Sequence, residues 1–236
     1  MSKFYTEISR YYDYIFPVSD AQLKLIKELA GNPPKDILDV ACGSGGYSKA
    51  LSNEGYTVTA IDLDESMVNS LREANSKVDA RVMNMLDIET LNKKYDLIFC
   101  IGNSLVHLKD SDEILRFLKA CKNCLKDEGR LLIQIINYDR ILAKDIKSLP
   151  TIKNDEHNIT FERYYSYLPD INMVDFKTIL KTGQEELENH QLLYPAKSGE
   201  LKELLNKAGF SNSMYYGSFK KDTYQPMDFY ALVIVA

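Results

Sequence analysis

The chain reads Ile-Leu-Asp-Val-Ala-Cys-Gly-Ser-Gly-Gly at residues 37–46, where an apolar run meets an acid and then a glycine-rich turn. Residues 47–53 continue with a helical pattern. Glycine tolerates positive φ and lets a ligand approach the backbone, and the first turn of a helix offers free N–H groups to an anion. The segment therefore predicts a strand, a tight turn and a helix, with a binding site for part of a nucleotide-like molecule at the turn.

A second apolar segment, residues 57–61, ends at Asp62, which lies 17 residues after Gly45. Glycine-rich turns also occur for structural reasons alone. An acid about 20 residues after such a turn is, however, where Rossmann-like folds bind a ribose. A carboxylate can accept hydrogen bonds from both ribose hydroxyls, each worth roughly 1.5–3 kcal/mol. The two segments together favour nucleotide binding, with Asp62 as the ribose ligand.

The turn departs from the G-x-G-x-x-G fingerprint of dinucleotide-binding folds, because Ser48 occupies the third glycine position. It resembles instead motif I of the class I S-adenosylmethionine-dependent methyltransferases, an acid followed by G-x-G-x-G. Asp39, Gly43 and Gly45 match that motif, and Ala41 stands in the first glycine place. The resemblance implies S-adenosyl-L-methionine as cofactor, with contacts from Asp39, Gly43, Ser44 and Gly45.

Two later segments resemble the adenosine-binding motifs of the same family. Asp62 matches the ribose-binding acid, and the resemblance implies that Leu63 lies against the adenine. Residues 82–88 resemble the motif at the adenine edge, which usually begins with Gly-Asp and here has Met-Asn. The adenine contacts implied are the carbonyl oxygen of Asn84 and the backbone N–H of Met85 or Leu86.

Residues 95–104 and 129–137 resemble the fourth and fifth strands of that family. Ligands of open α/β sheets bind beyond the carboxyl ends of the strands, so residues 102–110 are placed for chemistry. The resemblance implies that this loop lines the substrate side. Within and beside it, Ile101 and Asn103 are implied cofactor contacts.

The reaction implied is displacement at the sulfonium methyl carbon by a nitrogen or oxygen of a small-molecule acceptor. A neutral amine needs little further help, whereas a hydroxyl needs a general base. His107 is the candidate base because it is the only histidine in this loop and titrates near neutral pH. The alternative is a helix-start residue that faces solvent or binds a carbonyl. Tyr138, at the end of the fifth strand, is the candidate for orienting the acceptor.

An aromatic helix is predicted at residues 4–16, ending before Pro17. Most of its rings can simply pack on the main domain. The family resemblance suggests a lid over the cofactor, in which the phenol of Tyr12 or Tyr14 binds the methionine carboxylate.

Residues 140–195 show the two-residue alternation of antiparallel strands, separated by turns. Three or four strands are predicted here, as a cap that selects the acceptor through Arg163 or Tyr164. The alternative is that this alternation has no functional meaning, because alternate side chains of a strand simply face water and the core.

The predicted fold class is α/β, a doubly wound Rossmann-like seven-stranded sheet with an antiparallel last strand and an inserted antiparallel β subdomain. The predicted cofactor-binding domain comprises residues 1–139 and 196–236, and residues 140–195 form the predicted cap.

The composition limits the remaining function classes. With 34 acids and 29 bases the net charge is −5, which does not favour nucleic-acid binding. The sequence shows no apolar segment long enough for a membrane span and no signal-peptide core, so a cytoplasmic enzyme is expected. No metal site is expected, because the Cys121-x-x-Cys124 pair has no second pair. The oligomeric state is not indicated.

Two rival functions stay open. One is an NAD-dependent oxidoreductase, which Ser48 disfavours. The other is a non-catalytic S-adenosylmethionine-binding protein that keeps the fold as a scaffold.

Overall fold

The computed structural model describes residues 3–183 and 185–236, with the side chains of Ile8 and of residues from Arg10 onward. The described strands are β1 (Asp36–Val40), β2 (Thr57–Asp62), β3 (Asp79–Val82), β4 (Tyr95–Cys100), β5 (Leu125–Ile136), β6 (Ser148–Asn154), β7 (Ile159–Leu168), β8 (Met173–Lys181), β9 (Glu186–Leu193), β10 (Met214–Tyr216) and β11 (Ala231–Val235). The described α-helices are α1 (Lys3–Ile15), α2 (Asp20–Ala30), α3 (Gly46–Asn53), α4 (Glu65–Ala74), α5 (Ser111–Cys124), α6 (Tyr138–Ala143) and α7 (Ser198–Lys207). None of these helices is long and apolar enough to span a membrane.

The main sheet has seven strands in the order β10-β11-β5-β4-β1-β2-β3. Strands β1 to β5 run parallel to their neighbours among themselves, whereas β11 is antiparallel to both β5 and β10. This topology confirms the predicted Rossmann-like fold with an antiparallel last strand. The strand order reverses at β1, which lies between β2 and β4, and ligands of such sheets bind at the carboxyl ends next to that reversal.

The central strand β1 is apolar on both faces because helices cover both sides of the sheet. Ile37 is fully buried in a core that includes Leu25 of α2 and Leu51 of α3. Its neighbour Leu38 points to the other face, into a core that includes Phe117 of α5. The two cores fix the plane of the sheet, and with it the edge at which β1, β2 and β4 end.

Strand β5 begins earlier than the sequence predicts. Residues 125–128 belong to the strand rather than to the preceding helix, because Leu125 pairs with Tyr95 before a register shift. Gly129 follows in a crowded position, where a Cβ atom would lie 2.8 Å from the carbonyl oxygen of Tyr95. Helix α5 accordingly ends at Cys124, directly before the strand.

The cap is the antiparallel four-stranded sheet β6-β7-β8-β9, which agrees with the predicted inserted sheet. Alternate residues of β7 point to opposite faces, as the pleat of a strand requires. Phe161, Arg163 and Tyr165 share one face of β7, and that face is turned toward the main sheet.

Helix α1 lies between the cap and the main domain. Ile8 and Ile15 on α1 pack in a small core with Met67 of α4 and with Phe161 and Leu180 of the cap. The helix ends two residues before Pro17, near the boundary that the sequence predicts.

Candidate active site

The turn after β1 depends on left-handed backbone at three positions. Ala41, Gly43 and Gly45 have φ values of 58°, 55° and 73°. At Gly45 a Cβ atom would lie 2.4 Å from Cδ2 of Leu71, and at Gly43 it would lie 3.1 Å from the ring of Tyr12. The left-handed backbone favours glycine at both positions, and space excludes a Cβ atom at Gly45 and leaves little room for one at Gly43.

Asp62 joins the ends of β1 and β2. Its Oδ2 accepts a hydrogen bond from the N–H of Gly43 at 2.8 Å, and its Oδ1 accepts one from the N–H of Asp64 at 2.9 Å. A carboxylate has about four acceptor positions, so each oxygen can still accept from a ligand. Partial burial raises the pKa of Asp62, and the side chain lines a cavity beside the turn.

Asp39 lies beneath the turn rather than in the cavity wall. It is buried and accepts a hydrogen bond from Oγ of Ser48 on α3 at 2.6 Å. Burial raises its pKa to about 7. Ser44 is also buried, with its hydroxyl bonded to Asp13. Of the four residues that the sequence assigns to this part of the cofactor, Gly43 alone lines the cavity.

The cavity has a volume of about 510 Å³, within the range of small-molecule sites. Its side next to Asp62 is apolar, formed by Leu63, Met83 and Met85. Leu63 is 62% exposed, which is unusual for leucine and leaves an apolar surface free for a flat ring. Three neighbouring features of the cavity fit three parts of S-adenosyl-L-methionine. The carboxylate of Asp62 fits the sugar, the apolar surface fits the base, and the glycine turn fits the amino-acid part.

Asn84 and Leu86 do not line this cavity. The side-chain carbonyl oxygen of Asn84 accepts a hydrogen bond from the N–H of Leu86 at 2.9 Å and so caps a 3-10 turn at Met85–Leu91. Two of the three groups predicted to contact adenine are therefore bonded to each other, whereas the third residue, Met85, lines the cavity. Ile101 likewise does not line the cavity, whereas the next residue, Gly102, does.

Asn103 is held rigidly at the end of β4. It has a left-handed φ of 71°, and its Oδ1 accepts a hydrogen bond from the N–H of Ile136 at 2.9 Å. Its Nδ2 lies 3.3 Å from the phenol oxygen of Tyr138 and donates to it. Asn103 lines the cavity, whereas Tyr138 is fully buried behind it and does not. The predicted direct contact between Tyr138 and an acceptor does not fit this arrangement, because Tyr138 instead supports Asn103.

His107 lies at the end of a 3-10 turn, Ser104–His107, and its exposed side chain lines the cavity. The surrounding walls desolvate the imidazole and lower its pKa. A lowered pKa keeps the ring neutral at neutral pH, so that it can accept a proton.

Helix α1 contributes Tyr12 to the cavity but not Tyr14. Burial and the nearby charge of Asp62 raise the pKa of Tyr12 well above its usual range, so its phenol keeps its proton and can donate. Tyr14 is exposed, and its ring lies against His157 with centroids 3.8 Å apart. Of the two tyrosines named from the sequence, only Tyr12 can therefore meet a ligand at the turn.

The cap supplies the wall opposite the sheet. Arg163 lines the cavity, whereas Tyr164 points to the other face of β7, where its hydroxyl donates to Glu162 at 3.3 Å. The one-residue offset explains why only one of the two predicted contacts reaches the cavity. The sequence reasoning missed the other cap residues in the wall, which are Phe161, Phe176, Thr178, Asn189 and Gln191. Phe161 could have been found from the sequence, because it lies two residues before Arg163 and so faces the same side of β7. The residues on β8 and β9 could not, because their positions depend on how the strands pair.

Comparisons with known proteins identify methyltransferases among the proteins similar to this chain. A sequence model of a family described as a methyltransferase domain matches residues 37–129. The glycine/sarcosine N-methyltransferase of Aphanothece halophytica is 26% identical over 87% of this chain and 77% of its own. The glycine N-methyltransferase of Rattus norvegicus is 31% identical over 53% of this chain and 55% of its own.

Solved structures show the same fold. The CcbJ methyltransferase from Streptomyces caelestis superposes with a TM-score of 0.79 at 20% identity, covering 97% of this chain and 94% of that one. An S-adenosylmethionine-dependent methyltransferase from Clostridium acetobutylicum gives a TM-score of 0.78 at 17% identity, with coverage of 99% and 98%. The domain match over residues 37–129 and the curated relatives support an S-adenosylmethionine-dependent methyltransferase, an enzyme that uses S-adenosyl-L-methionine.

Proposed function

We propose that the enzyme transfers a methyl group to a nitrogen or oxygen of a small-molecule acceptor held between the main sheet and the cap. The observation that carries the proposal is a single cavity with two unlike walls. Gly43 and Asp62 lie on the sheet side, and Arg163 and Phe176 lie on the cap side. A nitrogen acceptor is favoured because the curated relatives are N-methyltransferases of glycine and sarcosine.

On the sheet side, Asp62 binds the ribose and Leu63 and Met85 hold the adenine. Tyr12 and Gly43 contact the methionine part. The bound cofactor supplies a methyl group already activated on a sulfonium sulfur. The chain therefore has to align the acceptor and exclude water, and good alignment of two reactants is worth roughly 7–11 kcal/mol.

On the acceptor side, the chain would hold the reacting nitrogen of the acceptor next to the activated methyl group, which the nitrogen would take up as sulfur is released. The surplus proton on nitrogen passes to the neutral imidazole of His107 or to water. Asn103 lines the same cavity as this histidine and orients the acceptor through its amide.

The rival functions make different predictions. The oxidoreductase alternative finds no support, since Ser48 is committed to the buried Asp39 where a dinucleotide fold needs a third glycine. A non-catalytic binder would retain affinity for the cofactor but never produce S-adenosylhomocysteine in the presence of an acceptor.

The test is a transfer assay with S-adenosyl-L-methionine labelled on the methyl group. Amines, amino acids and hydroxyl compounds, glycine and sarcosine among them, are supplied one by one. We expect labelled product with at least one of them. His107→Gln should lower kcat about 10²-fold for a hydroxyl acceptor and less for an amine, because general bases contribute at least this much to proton removal.

The matched control is His190→Gln on the exposed outer face of the cap, which should leave kcat unchanged. Binding of S-adenosylhomocysteine without any acceptor-dependent transfer across the whole set would contradict the proposed function.

A further inference from the structure

Three polar side chains form a row across the inner face of the cap. Arg163 of β7 pairs with Thr178 of β8, and Thr178 pairs with Asn189 of β9. All three line the cavity. Directly paired residues have Cβ atoms about 4.5–5.5 Å apart, so a single small group can contact neighbouring members of this polar row.

The polar row contains hydrogen-bond donors that the described protein does not satisfy. Among the described side chains, which are those of Ile8 and of residues 10–183 and 185–236, six buried polar atoms lack a partner. Three of them lie at this face: Nε of Arg163, Oγ1 of Thr178 and the phenol oxygen of Tyr165. Thr178 is only 4% exposed. Buried polar groups are nearly always paired in folded proteins, so unpaired donors at a cavity wall indicate a ligand that accepts hydrogen bonds.

The charge at the polar row is also unbalanced. Among the described residues Arg163 forms no ion pair, and its Nη2 donates to the backbone carbonyl of Pro150 at 2.7 Å. The nearby acids of the cap, Glu162 and Glu188, are paired with lysines instead: Lys181 at 3.2 Å and Lys177 at 2.7 Å. A guanidinium held in place at a cavity wall without a counter-ion is suited to an anionic ligand group.

We propose that the acceptor carries a carboxylate, and that the polar row of Arg163, Thr178 and Asn189 binds it. This inference rests on the proposed function and names the class of acceptor, a small amine that bears a carboxylate. Arg163 supplies the charge and Thr178 a hydroxyl donor, while the amide of Asn189 supplies a further N–H. Phe161 lies two residues from Arg163 on β7, and Phe176 lies two residues from Thr178 on β8, so both rings face the cavity beside the polar row. They restrict the width of the acceptor.

The first part of the test compares each amino acid with its carboxamide, beginning with glycine and glycinamide and with alanine and alaninamide. We expect the wild-type enzyme to prefer the acids. Arg163→Met should lower kcat/KM for the acids about 10- to 100-fold, the effect of losing hydrogen bonds to a charged group, and leave the carboxamides nearly unchanged. Thr178→Val should give a smaller loss with the same selectivity.

Two substitutions serve as matched controls. Arg116→Met removes an exposed arginine from α5, and Thr160→Val removes a hydroxyl at an outward position of β7. Neither should alter the preference for acids.

The second part does not depend on turnover. Acetate, as a bare carboxylate, is added to the protein saturated with S-adenosylhomocysteine, and the unfolding temperature is compared with that in acetamide. Acetate should raise the unfolding temperature of the wild type and not that of Arg163→Met, and acetamide should raise neither.

The outcomes separate the two proposals. Stabilisation by acetate that requires Arg163, without transfer to any acceptor, would remove the proposed function and keep the carboxylate site. Transfer that treats acids and carboxamides alike, or a loss in Arg163→Met that is equal for both, would overturn the carboxylate site and keep the proposed function. The carboxylate site is also overturned if acetate stabilises both proteins equally or neither.

Discussion

The two walls of the cavity are built in different ways. The sheet wall is shaped by backbone, through the left-handed turn at Gly43 and the N–H groups that bind Asp62. The cap wall is shaped by side chains at alternate positions of paired strands, such as Arg163 and Thr178. The first kind of wall is specified by neighbours in sequence, whereas the second needs the register between strands. We expect substitutions in the sheet wall to act on folding and cofactor binding, and those in the cap wall to act on acceptor choice.

The largest effect should come from Gly45→Ala. The new Cβ would meet Leu71 at 2.4 Å in a residue with φ of 73°. Left-handed strain costs about 1–2 kcal/mol and overpacking about 1–3 kcal/mol, so the free energy of unfolding should fall by roughly 2–5 kcal/mol. Urea unfolding measures it.

Gly102→Ala separates the two causes, because Gly102 has φ of 82° but nothing within 4 Å. It should show only the backbone cost. Gly199→Ala, in the first turn of α7 with no neighbour within 4 Å, should change stability by less than about 1 kcal/mol. Equal losses in all three variants would refute the packing of the turn on Leu71.

The next effect concerns pH and the buried acid under the turn. The pKa of Asp39 is raised from 3.8 to about 7 in the folded protein, so the folded state holds this proton more tightly than the unfolded state. Its contribution to stability is complete below about pH 4 and is lost as pH rises to about 7. The loss is of the order of 2–4 kcal/mol, at 1.36 kcal/mol per pKa unit.

Asp39→Asn is the isosteric reference, since an amide does not titrate and can still accept from Ser48. Urea unfolding between pH 4 and pH 8 should give a steeper decline for the wild type than for Asp39→Asn. Parallel curves would show that Asp39 is charged throughout this range.

A smaller effect is expected on cofactor affinity from Asp62→Ala. The loss of a charged hydrogen bond to the ribose should weaken binding of S-adenosylhomocysteine tenfold or more, about 1.5–3 kcal/mol. Calorimetry measures the affinity, with Asp79→Ala, an exposed acid on β3, as the control. Unchanged affinity in Asp62→Ala would remove Asp62 from the cofactor site.

The smallest effect should be that of Tyr164→Phe in the cap. The hydroxyl lies on the outer face, where it donates to Glu162, so kcat/KM should stay within about twofold of the wild type. A loss as large as that expected for Arg163→Met would mean that the pairing of β7 is displaced by one residue in solution.

The sequence was sufficient for the main sheet, because strands, turns and the Asp62 position follow from contiguous patterns. It was insufficient where a side chain's direction depends on a distant partner. Tyr138 stands at a strand end as predicted, yet it points into the core behind Asn103. Tyr164 differs from Arg163 only in strand parity, which pairing with β8 decides.

The residues around Asp39 show a different limit. Ser48 was identified only as a departure from a dinucleotide fingerprint, and its hydroxyl is the partner of the buried acid. Ala41 occupies the first glycine position of the motif, and its left-handed φ explains why that position usually holds glycine. Neither fact has a sequence signal, because both depend on how α3 packs against β1.

The attachment of α1 has a consequence for how this enzyme can diversify. The helix packs on the cap through Ile15, and Phe16, the residue after the helix, meets the ring of Phe161 edge-on with centroids 5.6 Å apart. The helix also carries Tyr12 to the cofactor turn. A cap grafted from a relative with another acceptor would therefore bring an unmatched surface to α1. Exchange of acceptor specificity by recombination should succeed only when α1 and the cap are transplanted as one unit.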